Sequence, residues 1–309
     1  MRFRRTIAVA TAAAAVFGTT AATFPSAQVG RSQPLPVLTA QALAARYATD
    51  SRMITQAARA ASGAGNQSLA RSLDAMRGWH FIDFNPAGQG MAVEVLGNLA
   101  QARRVVILVP GSDTSLATFD SRGTASPGGA ARSLAAEVRK LDPGADLAII
   151  AWLGYGDPAT FSPGIMTSGD AGQGAAALRP LVDDLARHGR QVALLCHSYG
   201  SVVCGLAAPY LPVTDIAVFG SPGMDASSVR ALHTTARVWA GRGASDWIRH
   251  VPHVHVLGLG FGQDPMDPAF GARLFAAGAG GHSGYFVPGS IALRNLAYIA
   301  LGDAAGVTR

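Results

Sequence analysis

The chain is almost without lysine and carries little charge for its length. Of its 309 residues only 14% are charged, and because Lys140 is the only lysine, arginine carries almost all of the positive charge behind the net +6. The arginines stand singly or in pairs such as Arg103-Arg104, and no run of them could follow a phosphate backbone. This pattern argues against a nucleic-acid partner. The basic balance still permits contact with a membrane or cell-envelope surface that is anionic.

Cysteine is also scarce, with Cys196 and Cys204 the two in the chain. An exported protein with two cysteines invites a disulfide. Here Cys196 would end a strand and Cys204 would lie in the following helix, which should hold their Cβ atoms too far apart for a bridge. We therefore predict two small, buried, unbridged residues near the site.

Beyond the N-terminus, no apolar run is long enough to cross a bilayer. The N-terminus itself has the pattern of an export signal, because a basic segment at residues 1–5 precedes an alanine-rich segment at residues 6–17. Small residues around Ala22 and Ala27 offer cleavage sites. We predict a signal peptide at residues 1–27 and a protein that is secreted or held in the cell envelope. An uncleaved anchor or a disordered extension is the alternative.

The rest of the chain is rich enough in hydrophobic residues, at 49% of the whole, for one large domain. Residues 28–79 predict a tail and an N-terminal helical cap of two helices, split at residues 62–66. Residues 80–309 alternate apolar strand patterns with helical patterns, which predicts an α/β domain with a mostly parallel sheet covered by helices on both faces. The predicted strands are 92–96, 105–109, 147–152, 191–195, 215–219, 237–240 and 253–259, and the predicted helices are 130–140, 172–188, 199–210 and 284–300.

A serine follows one of these strands directly. Residues 194–201 read Leu-Leu-Cys-His-Ser-Tyr-Gly-Ser, in which Ser198 stands between a buried strand and a helix that opens with glycine. This is the pattern of a nucleophile elbow, the tight turn that exposes the serine hydroxyl in α/β-hydrolases. Cys196 departs from it, because glycine is usual two residues before the serine. We predict that Ser198 is the nucleophile of a serine hydrolase.

Such a serine needs a histidine as base and a carboxylate that orients the histidine, in the chain order serine, acid, histidine. The predicted base is His282, which stands among glycines after the last predicted strand. The predicted acid is Asp246, in the loop after the preceding strand, although an aspartate there could simply cap the next helix. Asp225 is the second choice, and Asp264 and Asp267 are weaker ones.

Two backbone N–H groups should hold the oxyanion. The first predicted donor is Tyr199, the residue after the nucleophile. The second is Ser112, in the loop after strand 105–109, with Asp113 one register away. The residues of this loop are equally compatible with a simple turn between a strand and a helix.

Aromatic residues follow the strand at 147–152, near the sheet edge where open α/β sheets bind ligands. We predict that Trp152 and Tyr155 form part of a substrate pocket, and an ordinary apolar loop is the alternative. His250, His253 and His255 have a spacing that metal ligands can have, but no carboxylate cluster or cysteine pair accompanies them. We predict no metal and no cofactor.

Five short motifs occur in order along residues 80–302. They are Val-Pro-Gly-Ser-Asp-Thr at 109–114, Trp-Leu-Gly-Tyr at 152–155, Cys-His-Ser-Tyr-Gly-Ser at 196–201, Gly-Ser-Pro-Gly-Met at 220–224 and Gly-His-Ser-Gly-Tyr at 281–285. Together they resemble the actinobacterial α/β-hydrolase family catalogued as a domain of unknown function. The resemblance implies the hydrolase fold and a triad of Ser198, His282 and Asp246, and it implies no substrate.

The predicted reaction is hydrolysis of a small-molecule or lipid ester by an exported esterase, through an acyl-enzyme on Ser198. A peptidase or thioesterase would use the same triad. A binding protein without activity could use the same scaffold, because a fold does not fix a function.

Overall fold

The computed structural model describes residues 34–88, 90–121, 123–155, 169–251 and 260–309. The strands in these ranges are β1 Phe81–Asn85, β2 Met91–Leu96, β3 Arg104–Val109, β4 Leu147–Leu153, β5 Gln191–His197, β6 Val213–Phe219, β7 Arg237–Gly241 and β8 Arg273–Leu274. They form one sheet in the order β1-β2-β4-β3-β5-β6-β7-β8. β2 runs antiparallel to β1 and β4, and the other neighbouring strands are parallel.

Helices cover both faces of this sheet. The α-helices in the described ranges are α1 Ala40–Gly63, α2 Gln67–Ala75, α3 Pro127–Leu141, α4 Gly169–Arg187, α5 Gly200–Ala207 and α6 Ile291–Leu301. Successive side chains of a strand point to opposite faces. In β3, Val105 and Ile107 therefore join the core under α4 and α5, while Val106 and Leu108 join the core under α3 and α6. The α/β-hydrolase fold predicted from the sequence is confirmed.

The N-terminal helices belong to this core. Ile54 of α1 and Leu73 of α2 are fully buried, in the same apolar cluster as Val106 of the central strand β3. Ser72 of α2 also donates a hydrogen bond from its hydroxyl to the carbonyl of Leu116. The break between α1 and α2 falls where the sequence predicts it.

Three elements differ from those predicted. The edge strands β1 and β8 are not among the predicted strands, because Asp83 and Asn85 interrupt the apolar run of β1 and the two residues of β8 are too few for any pattern. The last helix was predicted from residue 284 but begins at Ile291. Ser290 caps it by accepting a hydrogen bond from the N–H of Leu293 at 3.1 Å, directly after Pro288-Gly289. This combination of cap and turn residues is a signal that marks the true start.

The prediction for the two cysteines is wrong, because Cys196 and Cys204 form a disulfide with their Cα atoms 6.5 Å apart. Cys196 is near the end of β5, and Cys204 is about one turn into α5. The tight turn between them folds the helix back onto the strand, which brings the two fully buried side chains together. A bridge is possible because their Cα separation is within the usual range for disulfides.

Some predictions lie outside the described residues. These are the signal peptide at residues 1–27, the strand at 253–259 and most of the segment that follows Tyr155. In the ranges that are described, no helix combines the length and the apolar character needed to cross a membrane.

Candidate active site

Three parallel strands deliver the predicted triad to one edge of the sheet. Ser198 directly follows β5, Asp246 lies five residues after β7, and His282 lies in the loop after β8. The carboxyl ends of parallel strands meet at the same edge, which is where open α/β sheets carry their ligand sites. The topology therefore brings together residues that are 84 and 36 positions apart in the sequence.

The turn at Ser198 has the strained backbone of an elbow. Its φ is +52°, in the left-handed region that residues with a side chain seldom occupy. The first helical residue after the turn must be Gly200, because a Cβ there would lie 2.5 Å from the carbonyl oxygen of Pro110 and 2.6 Å from that of Val109. The disulfide from Cys196 spans this same turn.

Ser198, His282 and Asp246 form a continuous chain of hydrogen bonds. The Nε2 atom of His282 is 2.9 Å from the Ser198 hydroxyl oxygen. Its Nδ1 atom is 2.9 Å from Oδ1 and 3.2 Å from Oδ2 of Asp246. Because an ionised carboxylate only accepts hydrogen bonds, Nδ1 carries the proton, and Nε2 is left to accept from the serine. This is the arrangement that activates a serine hydroxyl as a nucleophile.

Asp246 is fully buried and surrounded by donors. Burial opposes its ionisation, but hydrogen bonds from His282, the Tyr285 hydroxyl and the N–H of Ile248 outweigh that effect and lower the pKa of Asp246. The Tyr285 oxygen lies 2.5 Å from Oδ2, and the Ile248 nitrogen lies 2.9 Å from Oδ1. The carboxylate is therefore charged and able to orient the imidazole.

His197 is hydrogen-bonded to the loop that carries His282. Its Nε2 atom is 2.7 Å from the backbone carbonyl oxygen of His282, to which it donates a hydrogen bond. Burial, followed by the neighbouring His282, lowers the pKa of His197 to about 3. The ring is therefore neutral at physiological pH, and its hydrogen bond holds the loop that carries His282.

The loop after β3 lies against Ser198. A Cβ on Gly111 would lie 2.6 Å from the Cβ of Ser198, so only glycine at this position lets the loop pack this closely against Ser198. Ser112 and Asp113 line the cavity at the serine, and Asp113 has a φ of +63°. Tyr199, the other predicted oxyanion donor, begins the turn into α5. Its side chain points into the core, where its hydroxyl accepts a hydrogen bond from the N–H of Ala171 at 3.1 Å.

The Ser198 hydroxyl faces a cavity of about 190 Å³. One part of its wall carries hydroxyl groups, and the other part is apolar. The hydroxyl-bearing residues are Ser112, Thr114, Thr118, Thr124, Ser126 and Ser283, and the larger apolar ones are Leu108, Val109, Leu195, Phe219 and Phe286. Trp247 stands at the rim with 49% of its surface exposed, and its ring centroid is 4.6 Å from that of His282.

The predicted pocket residues Trp152 and Tyr155 lie elsewhere. Trp152 is fully buried and Tyr155 is 4% exposed, and their rings stack on each other with centroids 5.7 Å apart. Both belong to the core under α4 and α5, and neither lines the cavity at Ser198. The assignment of these two side chains to a pocket wall is corrected, since an aromatic residue at the end of a buried strand continues the core.

The alternative acids and the histidine cluster play no part in the described site. Asp264 is paired with the guanidinium of Arg242 at 2.7 Å. Asp225 lies in the loop after β6, and its N–H donates to the carbonyl of Phe261. In the described ranges no group of three histidine, cysteine or acidic side chains could hold a metal, and His253 and His255 lie outside those ranges.

Three residues beside the triad were not foreseen in these roles. His197 and Tyr285 stand within motifs that the sequence singles out, and Trp247 directly follows the predicted acid. Their short distances in sequence from Ser198, His282 and Asp246 are the signal that could have found them.

Solved structures similar to this chain include a dienelactone hydrolase from Anabaena variabilis and the esterase PE8. The first is 16% identical, with a TM-score of 0.45 and coverage of 72% of this chain and 94% of that one. The second is 16% identical, with a TM-score of 0.42 and coverage of 62% and 91%.

Relatives by sequence are the uncharacterized proteins Rv2079 and MT2140 of two Mycobacterium tuberculosis strains. Each is 32% identical over 251 residues, which cover 70% of this chain and 37% of the relative, so the chain spans little more than a third of these proteins. A family model described as alpha/beta hydrolase matches residues 85–256, more than half of the chain. The resemblance to an actinobacterial family of unknown function is thereby confirmed. The chain belongs to the alpha/beta hydrolase family.

Proposed function

We propose that the chain is a serine hydrolase that cleaves carboxylic esters of small acyl groups. The observation that carries this proposal is the hydrogen-bond chain from Ser198 through His282 to Asp246, beside a cavity into which the serine opens. A binding protein without activity would have no need of a serine at a strained φ, directed at the imidazole of a buried carboxylate–histidine pair.

The reaction proceeds in two halves. The Ser198 oxygen attacks the acyl carbonyl carbon while Nε2 of His282 accepts the hydroxyl proton, and the tetrahedral oxyanion is held by the N–H groups of Tyr199 and Ser112. The intermediate then expels the alcohol, which takes its proton from His282. Water attacks the acyl-enzyme next, with His282 again accepting a proton. The second tetrahedral intermediate then breaks its bond to the Ser198 oxygen, which takes the proton back from His282, and the carboxylic acid leaves. Asp246 stays ionised and stabilises the imidazolium in both halves.

The size of the cavity bears on the acyl chain. At about 190 Å³ it is smaller than the roughly 300–1,000 Å³ of sites for drug-sized ligands. We expect kcat/KM for p-nitrophenyl esters to peak at the acetate or butyrate and to fall about tenfold by the octanoate, because added methylenes extend out of this partly open cavity and must displace its wall to be buried. Matched thioester and anilide substrates belong in the same series. Faster cleavage of the thioester or anilide than of the ester would overturn the assignment to esters.

A fluorophosphonate probe tests the serine without knowledge of the substrate. We expect one adduct on the folded chain, which peptide mass spectrometry should locate at Ser198. A folded protein that forms no adduct would contradict the proposed function, and the non-catalytic alternative would then stand.

We also propose that the chain is exported. The basic and apolar pattern of residues 1–17 supports this, and so does the Cys196–Cys204 disulfide, because such bridges persist in oxidising compartments outside the cytosol. The mass of protein recovered from the culture medium should correspond to loss of residues 1–27, and after unfolding no thiol should react with an alkylating reagent. Retained residues and two reactive thiols would contradict it.

A further inference from the structure

The loop that carries the base also supplies a side chain to the acid. Tyr285, three residues after His282, is 3% exposed, and its hydroxyl donates to Oδ2 of Asp246 at 2.5 Å. The Tyr285 hydroxyl oxygen also accepts a hydrogen bond, at 3.2 Å, from the N–H of Gly243, which lies in the loop that leads to Asp246. The phenol therefore bridges the two loops whose meeting forms the triad.

Tyr285 is held in this position. Its ring centroid is 5.1 Å from that of Phe219, at the end of β6, and 5.7 Å from that of His197. Burial, followed by the Asp246 carboxylate, raises the pKa of Tyr285 far above the physiological range. The hydroxyl is therefore protonated and able to donate at physiological pH.

We propose that Tyr285 is a positioning residue of the triad, whose hydroxyl fixes the carboxylate of Asp246 and draws part of its negative charge away from His282. The inference rests on the proposed hydrolase function, because it concerns how the same triad is tuned. Asp246 divides its two oxygens among three donors. Oδ1 accepts from Ile248, Oδ2 accepts from Tyr285, and the Nδ1–H of His282 points between them.

Removal of the Tyr285 hydroxyl should shift the acid limb of the pH profile in a definite direction. Without the hydroxyl, the Asp246 carboxylate is more basic and stabilises the protonated imidazole of His282 more strongly. The imidazole then takes up its proton at higher pH, so the acid limb of the activity profile moves upward. The ionisable or charged groups around His282 are Asp246, His197, Tyr285, Ser198 and, in the cavity wall, Asp113, with Arg242 near Tyr285. Among these groups, Asp246 is the one that loses a hydrogen bond in Tyr285→Phe.

The test is the pH dependence of the rate of labelling by a fluorophosphonate, measured on the full chain. In Tyr285→Phe the midpoint of the acid limb should move up by about one pH unit, and the plateau rate should fall about tenfold because the carboxylate loses the hydrogen bond that fixes it and orients the imidazole less firmly. Tyr298→Phe is the matched control, a half-buried tyrosine of α6 whose ring lies beside Gly306, and its profile should equal that of the wild type. A fall at all pH values with an unmoved midpoint would overturn the proposal, since loss of packing alone has that result.

A second variant covers the case in which Tyr285→Phe does not fold. Tyr285→3-fluorotyrosine keeps the ring and makes the phenol a stronger donor, so the midpoint should move down instead of up. An unmoved or raised midpoint would contradict the proposed role. If the wild-type chain is not labelled at all, the proposed function fails, and the imidazole NMR titration of His282 in a Ser198→Ala background then tests Tyr285 by itself. The same upward shift on Tyr285→Phe is expected there, and its absence would overturn the inference.

Discussion

Replacing Ser198 by alanine should lower kcat/KM for p-nitrophenyl butyrate on the order of 10⁵-fold, because removal of a triad nucleophile leaves only the catalysis by the oxyanion donors and binding. The fold should be unaffected, since the change removes one oxygen atom, and alanine has the same Cβ as serine at the backbone φ of +52°. Initial rates measured with excess enzyme would quantify the residual activity, and circular dichroism would report the fold. The fluorophosphonate adduct should vanish in the same variant.

Ser227→Ala is the matched control for this experiment. Ser227 is an exposed serine in the loop after β6 and does not line the cavity. Its loss should leave both the esterase rate and the labelling unchanged. If Ser198→Ala hydrolyses the ester as fast as the wild type, another group performs the chemistry and the proposed mechanism is wrong.

Asp246→Asn should lower kcat/KM about 10⁴-fold at neutral pH, mainly by placing the His282 proton on the wrong nitrogen. The aspartate accepts from Ile248, Tyr285 and His282 with two oxygens, whereas an asparagine has only one oxygen to offer. If its amide group faces the imidazole, Nδ1 becomes the acceptor and Nε2 keeps the proton. The Nε2 atom can then no longer accept the proton of Ser198. The measurement is kcat/KM together with the rate of labelling across pH 5 to 9.

Asp225→Asn separates the two acids that the sequence leaves open. Nδ1 of His282 is hydrogen-bonded to Asp246, so we expect Asp225→Asn to keep the activity of the wild type within about threefold. Loss of activity in Asp225→Asn, with retention in Asp246→Asn, would reverse the assignment of the acid.

The three residues of the proposed triad, which the structure places in one hydrogen-bonded chain, could be selected from the sequence because their signals are local. Ser198 stands between an apolar strand and a glycine-led helix, and His282 and Asp246 follow later strands in the chain order of this fold. The central strands are also easy to predict, because strands buried on both faces are continuous apolar runs. The short edge strands β1 and β8 lack such a run and were missed.

What the sequence does not reveal is which side chains become neighbours across a tight turn or between loops. The bridge between Cys196 and Cys204 depends on how sharply the elbow folds α5 back onto β5. The burial of Trp152 depends on the packing of α4 and α5 against the same sheet face. The contact from Tyr285 to Asp246 depends on two loops meeting in space. Such contacts follow from the assembled sheet and not from a spacing of residues.

The strand that precedes His282 is the shortest of the described sheet, and the contacts of His197 and Tyr285 supplement its hold on the loop. β8 pairs with β7 through only two residue pairs, Trp239 with Arg273 and Ala240 with Leu274, and the loop with His282 follows it. Short edge strands open locally with less free energy than the whole domain needs to unfold. Such an opening would withdraw His282 from Ser198 while the other strands stay folded. If the proposed activity is correct, its lifetime at elevated temperature would then be set by the detachment of one edge, before the protein as a whole melts.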